Sequence, residues 1–259
     1  MGITSWQRRG EFADAGQAGE ILAEPAAEPE PVVDVAAPTL LADTDHPAEP
    51  VAIDADSDSG VEPAADVLSD SGKWGILRQR VSACTACELH ERRKQAVLGG
   101  GDTAAAWMLI GEAPGEEEDE RGEPFIGQAG HLLDEMLQAA GIGRSDIYLA
   151  NTVKCRPPND DDPSQAQIAA CAGFLDEQID LVKPDFILAL GKAAASRLTG
   201  LKESASLKSA RGKVHYYRDT RIPVVVTYHP AYYLRSPREK RKGWEDLLFA
   251  RKVAAGEVT

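Results

Sequence analysis

Trp107-Met108-Leu109-Ile110-Gly111-Glu112-Ala113-Pro114-Gly115-Glu116-Glu117-Glu118-Asp119 is the stretch that decides the fold. Its first four residues are bulky and apolar, a run short enough for a buried central strand. The chain then enters a turn loaded with carboxylates. Gly111 and Gly115 permit backbone conformations that a Cβ would forbid, and Pro114 fixes φ between them. A turn of this kind belongs at the carboxyl end of a parallel strand, where open α/β sheets bind ligands. The competing reading is a solvated acidic loop.

The pattern repeats on the C-terminal side. A helix is expected over residues 128–140, with Leu132, Leu133, Met136 and Leu137 on one face. Residues 147–153 form a second strand ending near the polar Asn151. Ser164 and Gln167 make a capping box that opens a helix with Ile168, Cys171, Leu175, Ile179 and Val182 on one face. Residues 186–190 and 223–228 read as the third and fourth core strands, and 212–217 as an edge strand. A last helix over 237–253 is expected to face inward with Trp244, Leu247 and Leu248. On the N-terminal side, Trp74, Leu77 and Val81 share a helix face, and 98–102 reads as a turn.

This alternation predicts an α/β fold: a central, mostly parallel four-stranded sheet between helices, in three αβα layers. In a parallel sheet the carboxyl ends of the strands share one edge. Glu112, Glu118, Asn151 and His229 therefore converge although they lie far apart in the chain.

The net charge of -14 is unevenly distributed. Residues 1–72 hold 16 acidic and 2 basic residues, whereas 73–259 hold 26 of each. The first segment is rich in Ala, Glu, Asp and Pro and is expected to be disordered, since it has too little apolar area to offset its ordering entropy. The domain proper is expected to begin at Lys73. It is neutral overall and can bind nucleic acid only through a clustered basic face. There is no apolar h-region, myristoylation motif or run of transmembrane length, so the cytoplasm is the expected compartment and no membrane partner is expected.

In such a compartment four cysteines point to metal rather than to disulfides. Cys84 and Cys87 form a C-x2-C pair, and Cys155 and Cys171 follow singly. Spacing leaves zinc and a [4Fe–4S] cluster both open. Either would tie the N-terminal helix to the second strand and the helix after it, bracing the active edge without entering the chemistry.

Taken together, C-x2-C at 84–87, GEAPGEEED at 111–119, GEPFIGQAG at 122–130, NTVKCRPP at 151–158, Cys171 and YHPAYYLR at 228–235 resemble the family 4, iron–sulfur uracil-DNA glycosylases. The resemblance covers residues 74–253. It implies a [4Fe–4S] cofactor on the four cysteines and removal of uracil from DNA by N-glycosidic hydrolysis. The base must leave the stack before C1′ can be reached. Phe125 is expected to stack on the flipped uracil. The Asn151 carboxamide can pair with O4 and N3–H and would mispair with cytosine. By the resemblance, His229 donates to O2 as charge grows on the leaving base. Glu112 is assigned to the water and Glu118 to the pocket wall near uracil C5, whereas Glu116, Glu117 and Glu120 are expected to be solvated.

Ala113 occupies the place where other uracil glycosylases carry an Asp, so the flanking glutamates would have to serve. A related class traps uracil-DNA covalently through a His in an insertion. The loop 156–163 has neither, so turnover is expected. The DNA face is expected after His229: Tyr232, Tyr233, Leu234 as a wedge, then Arg235, Arg238, Lys240, Arg241 and Lys242 on phosphates, with Arg211 and Lys213 extending the track. The expected partner is uracil-containing DNA, single- or double-stranded, with a repair or replication protein on the acidic segment. The protein is expected to be a monomer. A catalytically inactive iron–sulfur DNA-binding or redox module is the alternative. A zinc-stabilised nucleotide hydrolase is disfavoured because no GxxxxGK[ST] loop is present.

Overall fold

A computed structural model describes residues 69–202 and 204–258. The segment expected to be disordered lies, except for residues 69–72, outside the described residues. Residues 70–72 open the first helix: α1 spans Asp70–Ser82, with the Ser69 side chain accepting from the Gly72 N–H as N-cap. Its buried Leu77 and Val81 pack with Leu98.

The sheet has six strands: β1 Gly100–Gly101, β2 Trp107–Gly111, β3 Ile147–Asn151, β4 Phe186–Leu190, β5 Val214–Tyr216 and β6 Pro223–Thr227, in the order β1-β3-β2-β4-β6-β5. The inner four are parallel, as expected. Two antiparallel edge strands extend them. β5 was expected. β1 arises within the anticipated turn at 98–102, because the chain there pairs with Tyr148 and Leu149 before turning.

Side chains alternate across the sheet and define two cores. On one face Met108, Ile110, Ala150, Ile187 and Ala189 pack under α4 (Gln165–Val182) and α5 (Lys192–Thr199), through Leu175, Ile179, Ala194 and Leu198. On the other Leu109, Leu149, Leu188 and Val225 pack under α3 (Gln128–Ala139) and α8 (Lys240–Ala254), through Leu133, Leu137, Leu247 and Ala250. The three layers follow from this division. The Ser164–Gln167 capping box opens α4 as expected.

Three local expectations change. The acidic turn winds into α2 (Glu116–Arg121), because Glu116, Glu117 and Glu118 suit a helix N-terminus. The stretch after His229 forms a separate helix, α7 (Pro230–Arg235), with Pro230 at its first position. In α8 Leu247 is buried, but Trp244 and Leu248 are each 38% exposed. One residue along a helix turns the side chain by about 100°, which carries both off the stripe made by Gly243, Leu247 and Ala250. Between β4 and β5 lies a four-residue helix, α6 (Leu207–Ala210). Among the described residues no helix is long and apolar enough to cross a membrane.

Candidate active site

A cleft of about 590 Å³ opens at the carboxyl edge of the inner strands. Glu112, Ala113, Glu118, Phe125, Asn151, His229 and Arg235 all line it. Strand ends bring Glu112, Ala113, Asn151 and His229 together, and the 115–127 loop and α7 add Glu118, Phe125 and Arg235.

β2 and β3 are in register at Gly111 and Asn151. The Thr152 amide donates to the Gly111 carbonyl at 3.0 Å, and the Val153 amide to the Glu112 carbonyl at 3.2 Å, so the two strand ends are clipped together. A Cβ on Gly111 would lie 2.5 Å from both Asn151 Oδ1 and Phe125 Cζ. Only glycine lets the carboxamide and the ring share this floor. Asn151 is 2% exposed, and its Oδ1 is buried with no hydrogen-bond partner. An orphaned buried acceptor is costly and calls for a donor from a ligand.

Phe125 is buried at φ 54, a left-handed conformation that a non-glycine residue adopts only under outside constraint. The constraints are visible. Arg144 Nη2 donates to the carbonyls of Pro124 and Phe125 at 2.9 and 3.0 Å. Gly130 leaves room for the same carbonyl, which would lie 1.9 Å from a Cβ. The Glu118 carboxylate accepts from the amides of Gly115 at 3.1 Å and of Ile126 and Gly127 at 3.0 Å. Glu118 thus closes the 115–127 loop on itself, whereas Glu116, Glu117 and Glu120 are exposed as expected.

Glu112 is half-buried at the N-terminus of α5. Burial raises its pKa above the ordinary carboxylate value, opposed by the Ala193 backbone N–H and reinforced by Asp162. The Ala193 amide donates to Oε1 at 3.1 Å. Gly191, at φ 96, makes room: a Cβ there would lie 2.4 Å from that oxygen. His229 Nδ1 accepts from the Ala231 amide at 3.3 Å. A ring nitrogen that accepts carries no proton, so the proton sits on Nε2. Burial, assisted by Arg235, lowers the His229 pKa to about 4. The imidazole is therefore a neutral donor. Its ring lies 5.9 Å from that of Phe125, centroid to centroid.

Two cleft features escaped the sequence reading. The 156–163 loop supplies a wall through Pro157, Asp160, Asp161, Asp162 and Pro163. Its apolar periodicity is nil, so nothing in the sequence aimed it. Gly191 carries no sequence signal of its contact with Glu112.

The four cysteines also meet. Cys84, Cys87, Cys155 and Cys171 line one cavity with Arg93, Lys154 and Phe174. Arg93 Nη1 donates to Cys155 Sγ at 3.1 Å and Nη2 to the Ser82 carbonyl at 2.6 Å. Burial raises the Cys155 thiol pKa and pushes that of Cys171 to about 11. Four thiols lining one cavity, with cations beside them, fit a group that takes them as thiolates.

Around α7, part of the stretch expected to meet DNA is exposed. Leu234 is 39% exposed, and Arg235, Arg238 and Lys240 are exposed with no ion pair among the described residues. Four members of the expected track are otherwise engaged. Tyr233 is fully buried against Gly243 and shares a hydrogen bond with Thr227. Arg211 is held by Asp246 and the Lys242 carbonyl under the Tyr228 ring. Lys242 and Arg241 pair with Glu239 and Glu245.

Fold and site thus define a doubly wound α/β protein with a cleft of ligand size at its switch edge and a four-thiol centre beside it. The family model described as "Uracil DNA glycosylase superfamily" matches residues 98–248. A type-4 uracil-DNA glycosylase of Thermotoga maritima is 43% identical over 161 residues, covering 62% of this chain and 83% of that protein. One from Pyrobaculum aerophilum is 40% identical over 175 residues, covering 66% and 89%. A type-5 uracil-DNA glycosylase from Pyrobaculum aerophilum is more distant, 27% identical over 146 residues, covering 51% and 63%. The chain belongs to the uracil-DNA glycosylase superfamily, within its type-4 family.

Proposed function

We propose that this protein is a monofunctional uracil-DNA glycosylase of base excision repair, which flips uracil from DNA and hydrolyses its N-glycosidic bond to leave an abasic site. The observation that carries the reading is the orphaned Asn151 Oδ1 on the cleft floor. Uracil N3–H is the donor it lacks, and the carboxamide N–H matches O4. Cytosine presents the opposite pattern at these atoms. Phe125, locked by Arg144 and Gly130, stacks on the base. His229 donates through Nε2 to O2 as negative charge develops there. A neutral imidazole suits this role, since it stabilises the departing anion without having to be discharged first.

Glu112 is the group we assign to the water. It faces the cleft, is anchored through one oxygen, and its raised pKa gives it basicity. Glu118 has its oxygens committed to three amides, which supports a pocket-shaping role and not proton transfer. Ala113 leaves this task to Glu112. Leu234 serves as the wedge that replaces the flipped base, and Arg235, Arg238 and Lys240 meet phosphates. The 156–163 loop carries no histidine, so the product is released and not trapped. We take the enzyme to act as a monomer. Reduced thiols and DNA meet in the cytoplasm, where we place the enzyme. The alternative of an inactive redox or binding module leaves the orphaned acceptor and the neutral His229 donor without a use.

We assign a [4Fe–4S] cluster to Cys84, Cys87, Cys155 and Cys171. When bound it supplies a rigid brace, with no part in bond cleavage.

The test is incubation of the anaerobically purified protein with a uracil-containing oligonucleotide, then alkali, against a thymine control. Cleavage at uracil alone is the expected result. Intact DNA from protein with its visible absorbance intact would overturn the enzyme reading, and uracil-dependent retention of protein on denatured DNA would overturn release.

A further inference from the structure

Lys154 belongs to both halves of the site. Its side chain is 1% exposed and lines the cavity of the four cysteines. Its Nζ donates to the Asn151 carbonyl at 2.8 Å and to Gln178 Oε1 at 2.5 Å. Gln178 is itself fully buried and fixed: its Nε2 donates to the Leu98 carbonyl at 2.8 Å and the Tyr148 hydroxyl at 3.0 Å. Both acceptors of Lys154 are neutral. None of the ion pairs among the described residues includes it. A buried ammonium without an anion is strongly unfavourable. The cavity it lines holds four thiols, which become anionic as ligands of a cluster. A cubane on four thiolates is a net anion whichever oxidation level it holds.

We propose that Lys154 is a positioning residue that joins the cluster to the base-reading end of β3. Its ammonium is the counter-charge of the four-thiolate centre, and the same ammonium holds the Asn151 carbonyl. The residue that reads uracil is thereby held in register by the charge of the centre. This rests on the cluster assignment made above.

Two variants of the full, cluster-loaded protein separate the two functions of the ammonium. K154M removes the charge and the donor while keeping the shape. Q178E places a carboxylate against Nζ, which offsets the charge and keeps the Asn151 bond. A nearby cation favours the more negative, reduced cluster, so losing or offsetting it should make the midpoint potential more negative in both variants. This is read by redox titration of the visible absorbance and the electron paramagnetic resonance signal. For K154M we expect KM for the uracil oligonucleotide to rise about tenfold with kcat little changed, since the hydrogen-bonded support of base binding is lost. For Q178E we expect KM near the wild-type value. A purely structural lysine would leave the potential where it was. An unshifted potential in loaded K154M, or an unchanged KM, would overturn the proposal. If K154M does not load its cluster, Q178E decides, and an unshifted potential there overturns it. Wild-type protein without a visible-absorbing centre would overturn the cluster assignment first, and this inference with it.

Discussion

His229 shows how burial sets chemistry at a single residue. Its pKa of about 4 lies below the ordinary value of 6.5, so the imidazole is neutral wherever Glu112 is ionised enough to act. The acid limb of kcat/KM should therefore follow Glu112, whose pKa is raised: activity falls as pH drops through that value, and E112Q should remove the limb along with most of the rate. H229A should lower kcat by about 10²–10³-fold, the typical cost of one such donor. The stability consequence has a definite sign. Between pH 6.5 and about 4 the unfolded chain binds a proton at this site and the folded one does not, so the folded state loses stability as pH falls. H229Q lacks this loss. The difference in unfolding free energy between wild type and H229Q should thus move against the wild type across that window and stay level above it, as measured by denaturant titration at several pH values. Gly111 is the other decisive single residue. G111A should fold but lose uracil processing, because its methyl would displace Asn151 and Phe125 from the floor. Unimpaired activity in G111A would mean that the floor is not the base site.

Among the elements, the 115–127 loop and α5 act as mounts. E118A frees three amides at once, so the loop should become sensitive to limited proteolysis and KM should rise. A general base at this position would instead show its loss mainly in kcat. G191A forces a methyl into a left-handed backbone and against Glu112, at a cost of about 1–3 kcal/mol, and thermal unfolding together with kcat should both register it. The four inner strands could be read from their apolar runs because a buried parallel strand has no other way to look. Asn151 and His229 followed because parallel strands share an edge. Less was visible where structure does not come from periodicity. The 156–163 wall is held by turns and the Arg156–Asp160 pair, and Lys154 looked like any surface lysine, since a buried one is rare. Pro230 after His229 was a fair helix signal, but a six-residue helix has too few positions to show a face.

At the scale of the whole molecule, the four cysteines join the segment after α1 to β3 and α4, so stripping the proposed cluster with a chelator under oxidising conditions should lower the melting temperature as well as activity. The cationic surface of α7 and the start of α8 should give DNA binding a salt dependence, and K240A should reduce the slope of log K against log salt by about one unit without altering base preference. The separation of Cys84 and Cys87 from Cys171 also has a consequence for biosynthesis. A ribosome adding about 5–20 residues per second exposes the first pair of thiols for several seconds before the fourth has been made. During that interval the nascent pair can close on itself as a disulfide or take up a stray ion. Production of active protein should therefore depend on how reducing the translating cell is, and on how slowly the stretch between the cysteines is read.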